Sequence, residues 1–147
     1  MSMKKAIIIA AIIFIILTGA IILLSTKSNI ISGSAVTGDN KIIIYEFYGK
    51  GCPHCTKLNK WFEEIKPKYP ELEVMQHEVY KNSTNRKLFQ QMAKAYGKSA
   101  GGVPVLFIGD TRIVGFSNEI GERIEAEILK CKEEFCASPL TKLDEPE

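Results

Sequence analysis

The sequence predicts an α/β domain of order β-α-β-α-β-β-α, carried behind an apolar N-terminal segment. Three observations lead there. Short β-branched and aromatic runs alternate with segments whose apolar residues recur every three or four positions. Glycine and proline punctuate nearly every change between them. Finally, 147 residues leave room for one domain of ordinary size plus an extension.

The extension comes first. From Ala6 to Leu24 run 19 residues without a charge, mostly Ile, Ala and Leu. As a helix they would reach about 28 Å, close to the hydrocarbon thickness of a bilayer. Lys4 and Lys5 before the run and Lys27 after it favour, by a small margin, a cytoplasmic N-terminus. Residues 1–25 are therefore expected to be a cytoplasmic stub and transmembrane anchor. A cleavable signal, for which Gly33-Ser34-Ala35 offers small residues, is the alternative. Both place the remainder outside the cytoplasm, anchored in the cell membrane by a single pass or, if cleaved, secreted. Disulfides persist in that setting. Residues 26–40, rich in Ser, Thr, Gly and Asn, read as a flexible linker.

The domain is expected over residues 41–137. Lys41–Tyr48 is a buried strand bounded by Gly49 and Gly51. A helix follows from Pro53 to about Ile65, with Leu58, Trp61, Phe62 and Ile65 as its stripe, and Pro67 and Pro70 end it. Leu72–Tyr80 is a second strand, with Leu72, Val74 and Gln76 on one face and His77 facing solvent. Ser83 or Thr84 caps a helix to about Tyr96, where Leu88, Met92 and Tyr96 are spaced by four and Gly97 stops the turn. Val103–Ile108 and Thr111–Gly115, joined by Gly109-Asp110, form a hairpin. Ser117 or Asn118 opens the last helix, striped by Ile120, Ile124, Ile128 and Leu129. Residues 138–147 are expected to be a loose acidic tail. Trp61, Phe62, Met92 and Tyr96 read as core. Asn82-Ser83-Thr84 has the form of a glycosylation sequon, a weak signal without a source.

Charge excludes one class of function. The 46% hydrophobic and 24% charged composition gives a net charge of +2. Setting aside Lys4, Lys5 and Lys27 leaves 16 basic against 17 acidic residues. No basic patch argues for nucleic acid.

The chemistry lies in Cys52-Pro53-His54-Cys55. Two cysteines separated by two residues close a small disulfide ring when the first sits at a helix N-terminus. Unpaired N–H groups and the helix dipole there favour a thiolate, the species that attacks disulfides. Pro53 suits the first turn because its missing N–H would go unpaired anyway. A positive or hydrogen-bond-donating His54 would favour the thiolate further and make the disulfide more oxidising. Cys55, one turn on, would be the buried resolving thiol.

The segment from Tyr45 to Cys55 (YEFYGKGCPHC) resembles the active-site strand, loop and helix of the thioredoxin superfamily. The resemblance spans about Lys41 to Cys131. It implies a thioredoxin-like fold with a central mixed four-stranded sheet. The Cys-Pro-His-Cys variant is similar to that of periplasmic disulfide oxidases, while the size is that of the small thioredoxin and glutaredoxin forms. By that resemblance Glu46, six residues before Cys52, is a buried acid relaying protons to Cys55. Pro104 is a cis-proline beside the disulfide, and Val103 pairs its backbone with substrate. The implied activity is protein thiol–disulfide exchange without a metal or organic cofactor, with the oxidase or isomerase direction favoured over a reductase. Its partners would be proteins bearing cysteines and a membrane-embedded redox partner, either a quinone-linked oxidase or a transmembrane electron carrier.

A different class uses the same cysteines. Cys52, Cys55, Cys131 and Cys136 could hold zinc, or a Cys/Cys pair with a histidine could carry copper. The four-residue gap and long intervening helix argue against zinc, and the position of His54 inside the pair argues against copper. Cys131 and Cys136 read as a structural disulfide, with a second redox pair or free thiols as alternatives. Residues five apart in a continuous helix lie beyond the ~7 Å reach of a disulfide, so bonding requires the helix to end near Lys132–Phe135.

Overall fold

The computed structural model describes residues 41–144. The anchor expected at 1–25 and the linker at 26–40 lie outside the described residues. Among those described, no helix is long and apolar enough to cross a membrane.

The order is β1 (Ile42–Tyr48), α1 (Pro53–Ile65), β2 (Leu72–Glu78), α2 (Ser83–Ala95), β3 (Val105–Ile108), β4 (Thr111–Val114) and α3 (Asn118–Glu133). The strands form one mixed sheet in the order β2-β1-β3-β4, with β2 parallel to β1 and both other pairs antiparallel. A parallel pair needs a crossover, and α1 supplies it.

Side-chain alternation along β1 divides the core in two. Ile42 and Ile44 face α1 and α3, where Leu58, Phe62, Ile124 and Ile128 cover them. Tyr45 and Phe47 face the other side and pack with Phe89, Met92 and Phe107 under α2. The helices α1 and α3 meet closely at Gly121, where a Cβ would sit 3.0 Å from Trp61 Nε1. Gly97 (φ +64°) ends α2, and Gly109 (φ +49°) turns β3 into β4.

Several expectations need correction. The cap of α2 is Asn82, not Ser83 or Thr84: it has extended backbone, and its side chain accepts from Asn85 N at 3.1 Å. Strand β3 begins at Val105 rather than Val103, because the Val103–Pro104 bond is cis and precedes the ladder. Leu129 is 45% exposed and leaves the α3 stripe, while Cys131, three residues after Ile128, takes the buried place. His77 does not face solvent. Strand parity turns it toward α2, and it stacks on Tyr45 and Phe47 with centroids 5.4 and 5.3 Å apart. Burial there lowers its pKa, against a hydrogen bond that the ring donates to Asn85.

The tail is not loose either, as far as it is described. Pro139–Leu143 forms a 3₁₀ turn with Pro139 buried, and Leu140 packs on the α2 side of the sheet. Lys142 reaches Asp110 at 2.8 Å. Apolar residues at 139 and 140 give this stretch something to bury, which its terminal acidic residues conceal in a composition average.

Candidate active site

Strand β1 delivers the chain to the turn Gly49–Gly51, where Gly51 has φ +83° and Cys52 N donates to Gly49 O at 3.1 Å. Cys52 is the N-cap of α1. Its backbone is extended (φ −76°, ψ 118°), and its sulfur accepts from Cys55 N at 3.2 Å. A sulfur thus stands where a capping oxygen usually sits, facing the positive end of a 13-residue helix. Cys52 and Cys55 are disulfide-bonded with Cα atoms 5.3 Å apart. Cys52 keeps 8% of its surface exposed and Cys55 only 2%, so the first cysteine is the less enclosed of the two. Pro53 occupies the first helical position and is exposed.

The loop before β3 closes over this sulfur. The carbonyl of Val103 lies 3.6 Å from Cys52 Sγ; the Val103–Pro104 bond that follows is cis, and Pro104 is buried. Val103 itself is half-buried.

His54 is exposed, but its ring is tethered. Nδ1 lies 3.2 Å from the carbonyl oxygen of Phe116; a carbonyl only accepts, so the proton resides on Nδ1. The ring therefore borders an open cavity with Lys57, Ser117 and Glu119.

Glu46 is fully buried, on the sheet face that α1 covers. Burial raises its pKa, opposed by a hydrogen bond from Gln76 and by the charge of Lys66. Gln76 Nε2 donates to Glu46 Oε2 at 2.7 Å and to Asn59 Oδ1 at 2.8 Å, while Glu46 Oε1 has no partner among the described residues. The Gln76–Asn59 pair links the buried carboxylate to the exposed side of α1. Sequence reasoning missed this link, although Gln76 already stood on the inward face of β2 beside Glu46 in register.

Cys131 and Cys136 are bonded to each other, Cα atoms 5.0 Å apart, after α3 has ended at Glu133. They lie against the Gly109 turn, at the end of β3 remote from Val103. The structure therefore joins Cys52, Cys55 and Val103, with His54 in the same first turn of α1 and Glu46 on the sheet face that α1 covers, and separates them from Cys131 and Cys136. Among the described residues, no three His, Cys, Asp or Glu side chains are grouped to hold a metal.

Residues 42–113 match the glutaredoxin family, from the first residue of β1 to the inward-facing Ile113 of β4. Over that stretch the chain is similar to the glutaredoxin family. It carries a Cys-x-x-Cys disulfide on a thioredoxin-like fold, and the match stops short of α3 and the second disulfide. Among solved structures, a protein described as the thiol:disulfide interchange protein DsbE from Chlorobium tepidum is similar at TM-score 0.50 and 17% identity. That similarity covers 64% of this chain and 82% of that one. Glutaredoxin 1 from Francisella tularensis aligns at TM-score 0.43 and 24% identity, over 60% of this chain and 98% of its own. Thioredoxin O2 from Arabidopsis thaliana aligns at 0.48 and 17%, over 62% and 75%. No curated protein sequence matches the chain.

Proposed function

We propose that the chain is a membrane-anchored, extracytoplasmic thiol–disulfide oxidoreductase that exchanges disulfides with protein substrates through Cys52 and Cys55, in the oxidase or isomerase direction. The observation that carries this reading is the placement of Cys52: a sulfur at a helix N-terminus, bonded to a more deeply buried partner and roofed by the Val103 carbonyl.

In the oxidising direction a substrate thiolate attacks Cys52 Sγ. The Cys52–Cys55 bond breaks, and its electron pair leaves on Cys55. A second substrate thiolate then attacks its own sulfur in the mixed disulfide and releases Cys52 as a thiolate, which the N-terminus of α1 stabilises. Two electrons have passed from substrate to enzyme. Glu46, held protonated more readily by burial, supplies the proton to Cys55, and Gln76 holds the carboxylate in place. Val103 pairs with the substrate backbone, and Pro104 keeps that loop against the disulfide. No metal or organic cofactor takes part. The reduced pair returns its electrons to a membrane-embedded partner, a quinone-linked oxidase or, if the direction is reversed, a transmembrane electron carrier. The apolar run from Ala6 to Leu24 supports both the anchor and the location.

Replacing Cys55 with Ser removes the resolving sulfur, so Cys52 attacks substrate disulfides and the covalent complexes accumulate in a disulfide-rich extracytoplasmic extract and dissolve on reduction. An extract that yields none removes the mechanism. The reduction potential of the pair fixes the direction: a value near or below about −270 mV would turn the reading to a reductase.

A further inference from the structure

Glu78 ends β2 directly opposite Tyr48, the last residue of β1. Its carboxylate accepts from the backbone N–H groups of two separate segments. Tyr80 (2.9 Å), Lys81 (2.9 Å) and Asn82 (3.2 Å) belong to the turn before α2. Lys50 (3.4 Å) belongs to the turn before Cys52. The Glu78 backbone carbonyl accepts from Asn85 Nδ2 at 3.0 Å, in the first turn of α2. Partial desolvation pushes this carboxyl up, but the N–H groups of Lys81, Tyr80, Lys50 and Asn82 outweigh it and hold it below the ordinary range, so it stays ionised near neutrality.

The turn that Glu78 gathers carries Tyr80, whose ring lies against Gly49; a Cβ at Gly49 would stand 2.3 Å from it. Tyr80, Arg86, Gly101, Gly102 and Val103 also line a cavity of about 240 Å³ that begins at the loop over Cys52. Three of the four bonds would suffice to close a tight turn. The fourth ties that turn to the chain 28 residues earlier.

We propose that Glu78 is a positioning residue for disulfide exchange: by joining the Lys50 turn to the Tyr80 turn, it sets Cys52 against the groove that runs from Val103. The inference rests on the exchange reading above. Its test reads Cys52 in two ways in the reduced full chain. Glu78→Ala and Glu78→Gln are compared with the wild type at temperatures where each is folded by circular dichroism. The first readout is the pH profile of Cys52 alkylation by iodoacetamide, and the second is kcat/KM for exchange with a disulfide-bonded peptide.

With Glu78→Ala the turn is released and Cys52 Sγ drifts from the Cys55 N–H, so the alkylation midpoint moves to higher pH and kcat/KM falls about tenfold. Glu78→Gln keeps one accepting oxygen and lies between the two. Profiles and kcat/KM that match the wild type overturn the proposal, even if melting temperatures fall, because that leaves Glu78 a merely structural role. A midpoint that moves to lower pH also overturns it, since this is what losing a negative charge alone would do. If Glu78→Ala does not fold, the Gln profile decides on the same terms. A wild type that alkylates normally but exchanges nothing sinks the functional reading instead, while the alkylation profiles still judge Glu78.

Discussion

The two disulfides occupy opposite ends of β3 and opposite ends of helices. Cys52 caps the N-terminus of α1, where backbone N–H groups are in excess and one of them, that of Cys55, points at the sulfur. Cys131 lies in the last turn of α3, where carbonyls are in excess and Lys130 and Lys132 offset Glu133 and Glu134. The same covalent bond therefore meets opposite ends of a helix dipole, which favours a leaving thiolate at the first site and not at the second. Accessibility does not separate them: Cys52 and Cys131 are each 8% exposed, and the half-buried Cys136 lines a cavity with Gly109 and Asp110. The end of the helix that each pair meets is what distinguishes the two sites.

The sharpest way to break this comparison is to remove each pair in turn. Replacing Cys52 with Ser is expected to reduce exchange to background with little effect on melting. The double variant Cys131→Ser/Cys136→Ser is expected to keep exchange near wild type. It loses about 2 kcal/mol of stability, the loop-closure entropy of so short a ring, measured by denaturant unfolding. Loss of exchange in the double variant would mean that the second pair relays electrons.

A smaller effect sharpens the contrast at the active-site end. Glu46 is buried with one oxygen unpartnered, so Glu46→Leu is expected to stabilise the domain by on the order of 1–2 kcal/mol near neutrality, while slowing turnover. The sign follows from the raised pKa. The folded state holds this proton more tightly than the unfolded chain, so wild-type stability from this group is fully present below about 4.5, the ordinary value. It is lost as pH rises through the raised value. The gap between variant and wild type should thus widen with pH across that window; a constant gap would show that Glu46 does not titrate there.

The smallest effect concerns the far end. Lys142→Met removes the ion pair to the exposed Asp110 and should cost at most about 0.5 kcal/mol, shrinking further in salt. A larger loss would mean that the Pro139–Leu143 turn, rather than the disulfide, secures the Gly109 turn.

Much of this was legible because it is local. The α1 stripe from Leu58 to Ile65, the strand of β-branched and aromatic residues at β1, and the glycine turns each follow from neighbours a few residues apart. The spacing of Cys52 and Cys55, with Pro53 between them, marks a helix N-terminus without reference to anything distant. The requirement that α3 end before Cys136 came from disulfide reach alone, and the helix ends at Glu133. Errors fell where several segments compete for one place. His77 reads as a polar residue on an edge strand, but rings from β1 lie beside it. The tail reads as loose until the sheet offers Leu140 a surface.

By itself, then, the sequence determined the order of elements, the thioredoxin-like resemblance and the sulfur pair, since helix stripes, strand runs and turn residues act over one or two turns of chain. Only the tertiary structure decided which distant groups are joined at that end of the sheet. The Gln76 bond to Glu46, the Phe116 carbonyl that holds His54, and the Glu78 carboxylate under the Lys50 turn all join residues from 28 to 62 positions apart. Hydrogen bonds of that kind leave no periodicity behind. They exist because parallel pairing of β1 with β2 and the return of the chain to α3 bring remote segments to one end of the sheet.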